Sequence, residues 1–511
     1  MVQTGPPIVT LRSMPGLPFD GAIAAARTCY SPRVIGVGEI TEKQRQTIGP
    51  LTFDGGHHTV YQHATFEFGL ENVSRQFVWS FLHSYPFYNS EQSSQRYVKL
   101  NEPRAFVPPI RGEALEVYEQ AIVRAWEAYA QLSIVLKDDT FQILKELRHV
   151  MPRSSPDRVK QIERDAEKKA IETARYVIPI GAFTSMVHTI SGITLHRLRR
   201  MMNSGDAPYE TQLVVGAMVD LVSRHDPSFF SRVGLEAIDA DLLPESSFPR
   251  TLEQGDDFVR RFDARLNGRV SRLVDWSAQA EGLVAEAVRE TFGLDEAAMS
   301  EDEALDRVMN PSRNPLRLDT LNVTYHSPLM RSLHHSSYTF EKRLSHTADS
   351  QDQRHRMVPA SRPMMTCVDT QAPDYVTPMI VARNARARAI YDATMADAWR
   401  AKNRLRELGV PLEFALYVLP NAKALRFLES GPFIALLHKW TMRTCFNAQE
   451  EIYRASMDEV EQVAACHPRL ARFIGPPCVI RNGLVAPRCT EGTHFCGVPV
   501  WLNFPSVERR L

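Results

Sequence analysis

The sequence has no surplus of either charge: across 511 residues, 60 lysines and arginines face 60 aspartates and glutamates. That balance excludes a generally basic coat for nucleic acid, though not a local anion site. Long apolar runs are missing too. No stretch approaches the roughly 18 consecutive apolar residues of a membrane helix. The opening MVQTGPPIVTLRSMPGLPFD has no basic segment leading into an apolar run, so no signal peptide is expected. Cysteine is scarce: seven, widely spread, too few for a disulfide framework. These absences predict a soluble, cytoplasmic protein with no nucleic-acid or membrane partner. What is present is ordinary for a globular chain, 44% apolar and 23% charged. Such a chain can bury a large core, and its length suggests about two to four domains.

Helical periodicity dominates. Leu115, Tyr118, Ile122, Trp126, Tyr129 and Leu132 recur every three or four positions and mark one buried face. Further helices are expected near 157–176, 208–224 and 382–408. Strand-like alternation is confined to short runs, His63–Phe68 and Ser337–Phe340. The fold class read from this is α+β, helix-rich. The segment 236–312 changes texture, with a loop-like ESSFPRTLEQGDD, amphipathic stretches and an NPSRNP end. It reads as a helical connector between a first domain, 1–235, and a second, 313–511, that ends in a Cys-rich tail.

The two domains repeat one another. Ala174-Arg-Tyr-Val-Ile-Pro179 matches Ala415-Leu-Tyr-Val-Leu-Pro420 at an offset of 241, which also relates Glu210 to Glu451. Earlier, His63–Phe68 matches His335–Phe340 at an offset of 272. The shift of 31 predicts an extra segment in the first half, near the helix at 115–150.

Three strings could carry chemistry. Arg354-His355-Arg356, with Gln351 before it, gathers guanidinium forks suited to phosphate or carboxylate; a solvated charged turn is the bland alternative. Ser90-Glu-Gln-Ser-Ser-Gln-Arg-Tyr97 supplies hydroxyls, amides and an arginine on a loop with free backbone donors, or else is a polar surface loop. Arg443 lies five residues before Ala448-Gln-Glu-Glu-Ile452, on an otherwise apolar helical pattern. It either snorkels or meets an anion.

In this order and spacing the strings resemble the flavin-dependent thymidylate synthase family. That family shows a glutamine three residues before Arg-His-Arg, then Ser-x-Arg-Tyr, Ala-Arg-x-x-Leu-Pro, and an arginine five residues before Ala-Gln-x-Glu-Ile. Ala26-Arg-Thr-Cys-Tyr30 also looks like its first helix. The resemblance covers roughly 20–235 and 313–460 and implies two tandem copies of the family's fold, an antiparallel sheet flanked by long helices.

Each half keeps only part of the pattern. The first keeps Ser94, Arg96 and Arg175. Counted back by 272, its triplet position holds Leu82-His83-Ser84, Trp79 stands for the glutamine, and Met202 for Arg443. The second keeps Gln351, Arg354, His355, Arg356 and Arg443, lacks a Ser-x-Arg-Tyr string, and has Leu416 for Arg175. In the family, one subunit gives the first set and a neighbour the second. The resemblance therefore implies one hybrid nucleotide site made from both halves. Ser94, Gln95, Arg96, Arg175, Gln351 and Arg354 would bind dUMP, and Arg443 would stabilise negative charge at N3 of the uracil. His355, Arg356, His63 and His335 would face FAD, with NADPH and methylenetetrahydrofolate as co-substrates. A homodimer forming a pseudo-tetramer is implied as well. The family's Asn-x-Arg flavin pair is missing from both halves: Ser191 and Ile193, Pro432 and Ile434. This motivates two alternatives, C5 hydroxymethylation of another pyrimidine nucleotide, or a non-catalytic nucleotide-binding scaffold.

No metal is required by this chemistry. Cys466, Cys478, Cys489 and Cys496 in the tail are zinc candidates by residue type, but they form no C-x-x-C pair. Free or buried cysteines are the plainer expectation.

Overall fold

A computed structural model describes residues 2–85, 87–150, 155–248 and 254–511. It holds two four-stranded antiparallel sheets of matching order. The first comprises β1 (Ile8–Ser13), β2 (Thr65–Ser74), β3 (Tyr88–Gln92) and β4 (Phe183–Ser191), ordered β1-β2-β4-β3. The second comprises β5 (Ser271–Trp276), β6 (Ser337–Ser345), β7 (Ala360–Ser361) and β8 (Ala424–Pro432), ordered β5-β6-β8-β7. The helix-rich α+β class is as expected.

Strand β2 shows how sequence sets the register. Phe66, Phe68 and Leu70 point alternately into the first core. At Asn72, φ is 53° and the pairing with β4 slips between Leu70 and Val73. Asparagine tolerates this left-handed geometry, and the extra residue forms a bulge. Its counterpart β6 pairs with β8 without a slip.

The stretch 236–312 is more than connecting helices. It supplies β5, which pairs with β6, and a helix Ala280–Phe292 whose Val284 and Val288 join the core around Tyr338, Phe340 and Trp440. With two adjacent apolar residues among six, Ser271-Arg-Leu-Val-Asp-Trp276 gives little strand alternation. The loop expected at 245–257 falls partly on 249–253, outside the described residues. The extra length in the first half is shared by two helices. Glu113–Leu147 has 35 residues against 23 in Ala385–Glu407, and Pro156–Ala174 has 19 against five in Leu412–Leu416.

The halves share a self-complementary contact, the arrangement a two-fold axis produces. Ile180 N donates to Leu419 O at 2.8 Å, and Asn421 N donates to Ile178 O at 2.8 Å. Gly181 N donates to Tyr417 O, and Ala422 N to Tyr176 O, both at 2.9 Å. Each contact maps onto its mate by the offset of 241. Beside them, Tyr417 donates to Glu210 and Tyr176 to Glu451 across the halves. One apolar core contains Trp79, Tyr118 and Ile178 together with Leu344, Tyr417 and Leu419.

Burial pushes the Glu210 carboxyl up to about 7, from an ordinary 4.5. The folded state therefore holds a proton that the unfolded chain has lost between those values. This contribution is fully present below about pH 4.5 and fades as pH rises through about 7. Burial raises Glu413 to about 7 as well, with the same sign. Thermal unfolding should show the melting temperature falling between about pH 5 and 8, with a shallower slope in Glu210→Gln.

Candidate functional site

The bulge corrects the alignment of the halves. Ser74 caps the Arg75–His83 helix and binds Glu210 through its N–H and hydroxyl; Ser345 caps the His346–Asp352 helix and binds Glu451 in the same way. Those serines are 271 apart, not 272. Beyond the bulge, Ser80 therefore stands for Gln351, and His83, Ser84 and Tyr85 stand for Arg354, His355 and Arg356. Neither triplet arginine has a cationic counterpart in either count.

The surviving sets meet within one chain. From the first half, Arg96 follows β3 on a turn held by Tyr97 N and Val98 N donating to Ser94 O. Its Nη2 donates to Asn447 O of the second half at 2.9 Å. Arg175, ending the Pro156–Ala174 helix, donates through Nη2 to Gln449 Oε1 at 3.0 Å, and Gln351 donates to the same oxygen. Asn421 donates to Gln95 Oε1 at 3.1 Å. Arg443, on the Phe433–Arg443 helix, donates through Nε to His355 Nε2 at 2.8 Å and through Nη2 to Gln351 O at 3.2 Å.

The charges in this site are mostly uncompensated. Burial draws Arg443 down to about 10, with Arg354 and Arg96 adding repulsion against the pull of Asp352. Burial lowers Arg175 to about 10 as well. Among the described residues, Glu172 is the one carboxylate ion-paired to these guanidiniums, 2.7 Å from Arg96. His355 is held well below the usual imidazole range by burial, then by Arg443 and Lys439. It is neutral, which is what lets Nε2 accept from Arg443.

Arg75 belongs to the same cluster, and the motif comparison passed over it. It is the first residue of its helix, 5% exposed, and its Nε has no partner. Burial lowers it to about 9, reinforced by Arg175 and Arg354. The signal was present as one arginine inside the apolar run Val73-Ser-Arg-Gln-Phe-Val-Trp79. Gln449, within Ala448-Gln-Glu-Glu-Ile452, bridges Arg175 and Gln351.

Other expected residues sit apart. His63 and His335 are both exposed, each at the end of the 3₁₀ turn leading into β2 or β6, so neither is a buried structural histidine. Arg356 leans onto the first half, 5.2 Å above the Tyr88 ring, with Nη1 donating to Asn89 at 3.0 Å. All seven cysteines are free, and among the described residues no group of three His, Cys, Asp or Glu is placed to hold a metal ion. No helix of the described residues is long and apolar enough to cross a membrane.

One cavity opens onto the cluster and a second lies farther along the Phe433–Arg443 helix. The first, of about 520 Å³, opens beside Arg96 and Asn447, with Arg148, Lys169 and Arg509 on its walls. The second, of about 300 Å³, runs along the Phe433–Arg443 helix past Ile434, His438 and Thr441 to Arg317 and Arg481. Burial lowers Arg317 to about 10; among the described residues its guanidinium meets the carbonyls of Met309 and Phe473 and the Met309 sulfur.

The site's residues fall where relatives share sequence. The thymidylate synthase complementing protein model matches residues 17–228 and again 272–469. The flavin-dependent thymidylate synthase of Clostridium tetani (strain Massachusetts / E88) is 28% identical over 232 residues, 44% of this chain and 85% of that protein. That of Sulfolobus acidocaldarius is 28% identical over 254 residues, 45% and 91% respectively. That of Geobacter sulfurreducens is 32% identical over 171 residues, 32% and 70%. With the two matched stretches together covering most of its residues, the chain belongs to the thymidylate synthase complementing protein family, that of the flavin-dependent thymidylate synthases.

Proposed function

We propose that this chain methylates dUMP at C5 to give thymidylate, at one site that its two halves build together. The observation carrying this reading is the meeting, within one chain, of Arg96 and Arg175 with Gln351 and Arg443, with Arg354 close by and a single paired carboxylate among the arginines. Buried Arg75 and Arg175, half-buried Arg96 and Arg443 and exposed Arg354, with Glu172 the one ion-paired carboxylate among them in the described residues, form a pocket for an anion such as a nucleotide phosphate. Ser94, Gln95, Arg96 and Arg175 hold the phosphate, completed by Gln351 and Arg354. Arg443 stabilises negative charge on the uracil, which activates C5. Neutral His355 and the Gln351 carbonyl aim the Arg443 guanidinium at that position.

The flavin fits in part. The family's Asn-x-Arg pair is replaced by Pro432 and by Ile434, which is core-packed. The 300 Å³ cavity on the same helix nevertheless offers an apolar wall, His438, and two arginines with no ion-paired carboxylate among the described residues. His355, Arg356 and His438 would hold the flavin on the site side and Arg317 and Arg481 on the far side; exposed His63 and His335 could contribute only at the surface. When bound, FAD supplies the reducing equivalents, with NADPH and methylenetetrahydrofolate as co-substrates. The chain assembles as a homodimer equivalent to the family's tetramer. A second reading, C5 hydroxymethylation or nucleotide binding without turnover, is favoured by the lost flavin pair alone. Flavin absorbance of the purified protein and identification of the product from labelled dUMP test the proposal; a colourless protein that binds dUMP without turnover overturns it.

Arg75 gives a prediction of mixed sign. A buried cation without a counter-ion costs stability until an anion arrives. Arg75→Met should raise the melting temperature of the nucleotide-free protein and weaken dUMP binding about tenfold, a loss of ~1.4 kcal/mol. Thermal unfolding and calorimetric titration check both halves of the statement.

A further inference from the structure

The pseudo-two-fold axis that maps one half onto the other also carries the nucleotide site onto a second location. Beyond the bulge, offsets of 271 and 241 place Ser80, His83 and Met202 where Gln351, Arg354 and Arg443 stand. Strand pairing places the third part. Ala360 pairs with Glu429 as Ser90 pairs with His188, so Met364 and Thr366 occupy the positions of Ser94 and Arg96. Leu416 stands for Arg175. Every cation named for the first site is replaced by a neutral side chain.

The space has not closed. A cavity of about 700 Å³ occupies this location, lined by Ser80, His83, Ser84, Met201, Asp206 and Met364 among others. Its walls also carry the aromatic rings of Phe81, Tyr85 and Phe87. The charge that remains does not suit a phosphate. Arg362 is pinned by both oxygens of fully buried Asp349, at 2.6 and 2.7 Å, and lies 4.5 Å over the Phe427 ring. Trp79 Nε1 donates to the same carboxylate at 2.8 Å, and His83 Nε2 lies 3.6 Å from it. Asp206, at the position of Asn447, presents a second carboxylate, accepting from Met365 N at 2.6 Å. The remaining lining cation, Arg197, is exposed.

We propose that this second cavity is a ligand site in its own right, taking an uncharged nucleoside rather than a nucleotide. Resting on the reading of the first site as a nucleotide pocket, the inference follows from what the duplicate lost and kept. Loss of the phosphate-binding cations, with Arg362 tied to Asp349, selects against an anion. Aromatic walls with a few hydroxyls and one imidazole suit a planar heterocycle with a sugar.

The test uses the full chain and two probes, thymidine and dUMP, by equilibrium dialysis. Thymidine should bind at one site per chain with dUMP present at saturation. Ser84→Trp and Met201→Trp, two exposed wall positions outside the nucleotide site, should each weaken thymidine at least tenfold and leave dUMP affinity unchanged. The unchanged dUMP affinity also reports that each variant is folded. The proposal is overturned if dUMP displaces thymidine, or if neither substitution alters thymidine binding. Failure of dUMP to bind the unaltered protein would instead refute the nucleotide reading, and is scored separately.

Discussion

Arg96→Ala and Arg354→Ala are each expected to weaken dUMP binding by about ten- to a hundredfold, although the two residues lie in different halves. A hydrogen bond to a charged group contributes ~1.5–3 kcal/mol, and ~1.4 kcal/mol is a factor of ten. Calorimetric titration with dUMP measures each loss. The sharper result comes from mixing. Were the site shared between chains, co-expressed Arg96→Ala and Arg354→Ala chains would rebuild some intact sites. Arg96 instead reaches Asn447 O, and Arg175 reaches Gln449, within the same chain. The mixture should bind dUMP no better than the single variants, and recovery of a quarter or more of the normal sites would refute an intrachain site. Arg175→Ala should behave like Arg96→Ala, since burial already presses on its charge and Gln449 is the one hydrogen-bonded partner of its guanidinium among the described residues.

The repeat was legible because it rests on short strings with a common offset. The docking contact at 176–182 and 417–422 bears this out, since the 241 offset that joins Pro179 to Pro420 relates its hydrogen bonds too. What sequence could not show was a one-residue bulge. Asn72 leaves the apolar alternation of β2 intact up to Leu70, so counting through it misassigns the positions of the Arg75–His83 helix by one. Strand β5 escaped because its register comes from pairing with β6, not from its own pattern. Arg75 escaped because a comparison of motifs asks which expected residues are kept, whereas a buried cation with an unpartnered Nε is seen only in three dimensions. Gln351, Arg354 and Arg443 could be picked out as candidates because they stand in a recognisable order along the chain.

Lys342→Met is expected to destabilise the folded protein by about 3–5 kcal/mol, the usual cost of leaving buried charges uncompensated. Lys342 and Lys439 share the carboxylates of Asp352 and Glu429, at 3.0 and 2.9 Å for the first and 2.9 and 2.5 Å for the second. Lys342 also meets Glu459 at 2.8 Å, and Trp440 Nε1 and the Ser271 hydroxyl donate to Glu459 as well. All five charged side chains are 1% exposed or less. The first half repeats the same layer without ions: the matching positions are Leu70, Phe81, His188, Leu198 and Met218, all buried. The duplication thus contains its own control, because a layer without ion pairs suffices to fold this architecture. It follows that the single substitution should be costly while the full set, Lys342→Leu, Asp352→Phe, Glu429→His, Lys439→Leu and Glu459→Met, should recover most of the loss. Chemical denaturation of both variants decides it. The ionic layer lies next to the site, with Asp352 drawing on both His355 and Arg443. The variant without ion pairs should therefore refold the domain yet bind dUMP more weakly, which would assign the buried ions to orienting the site and not to holding the fold.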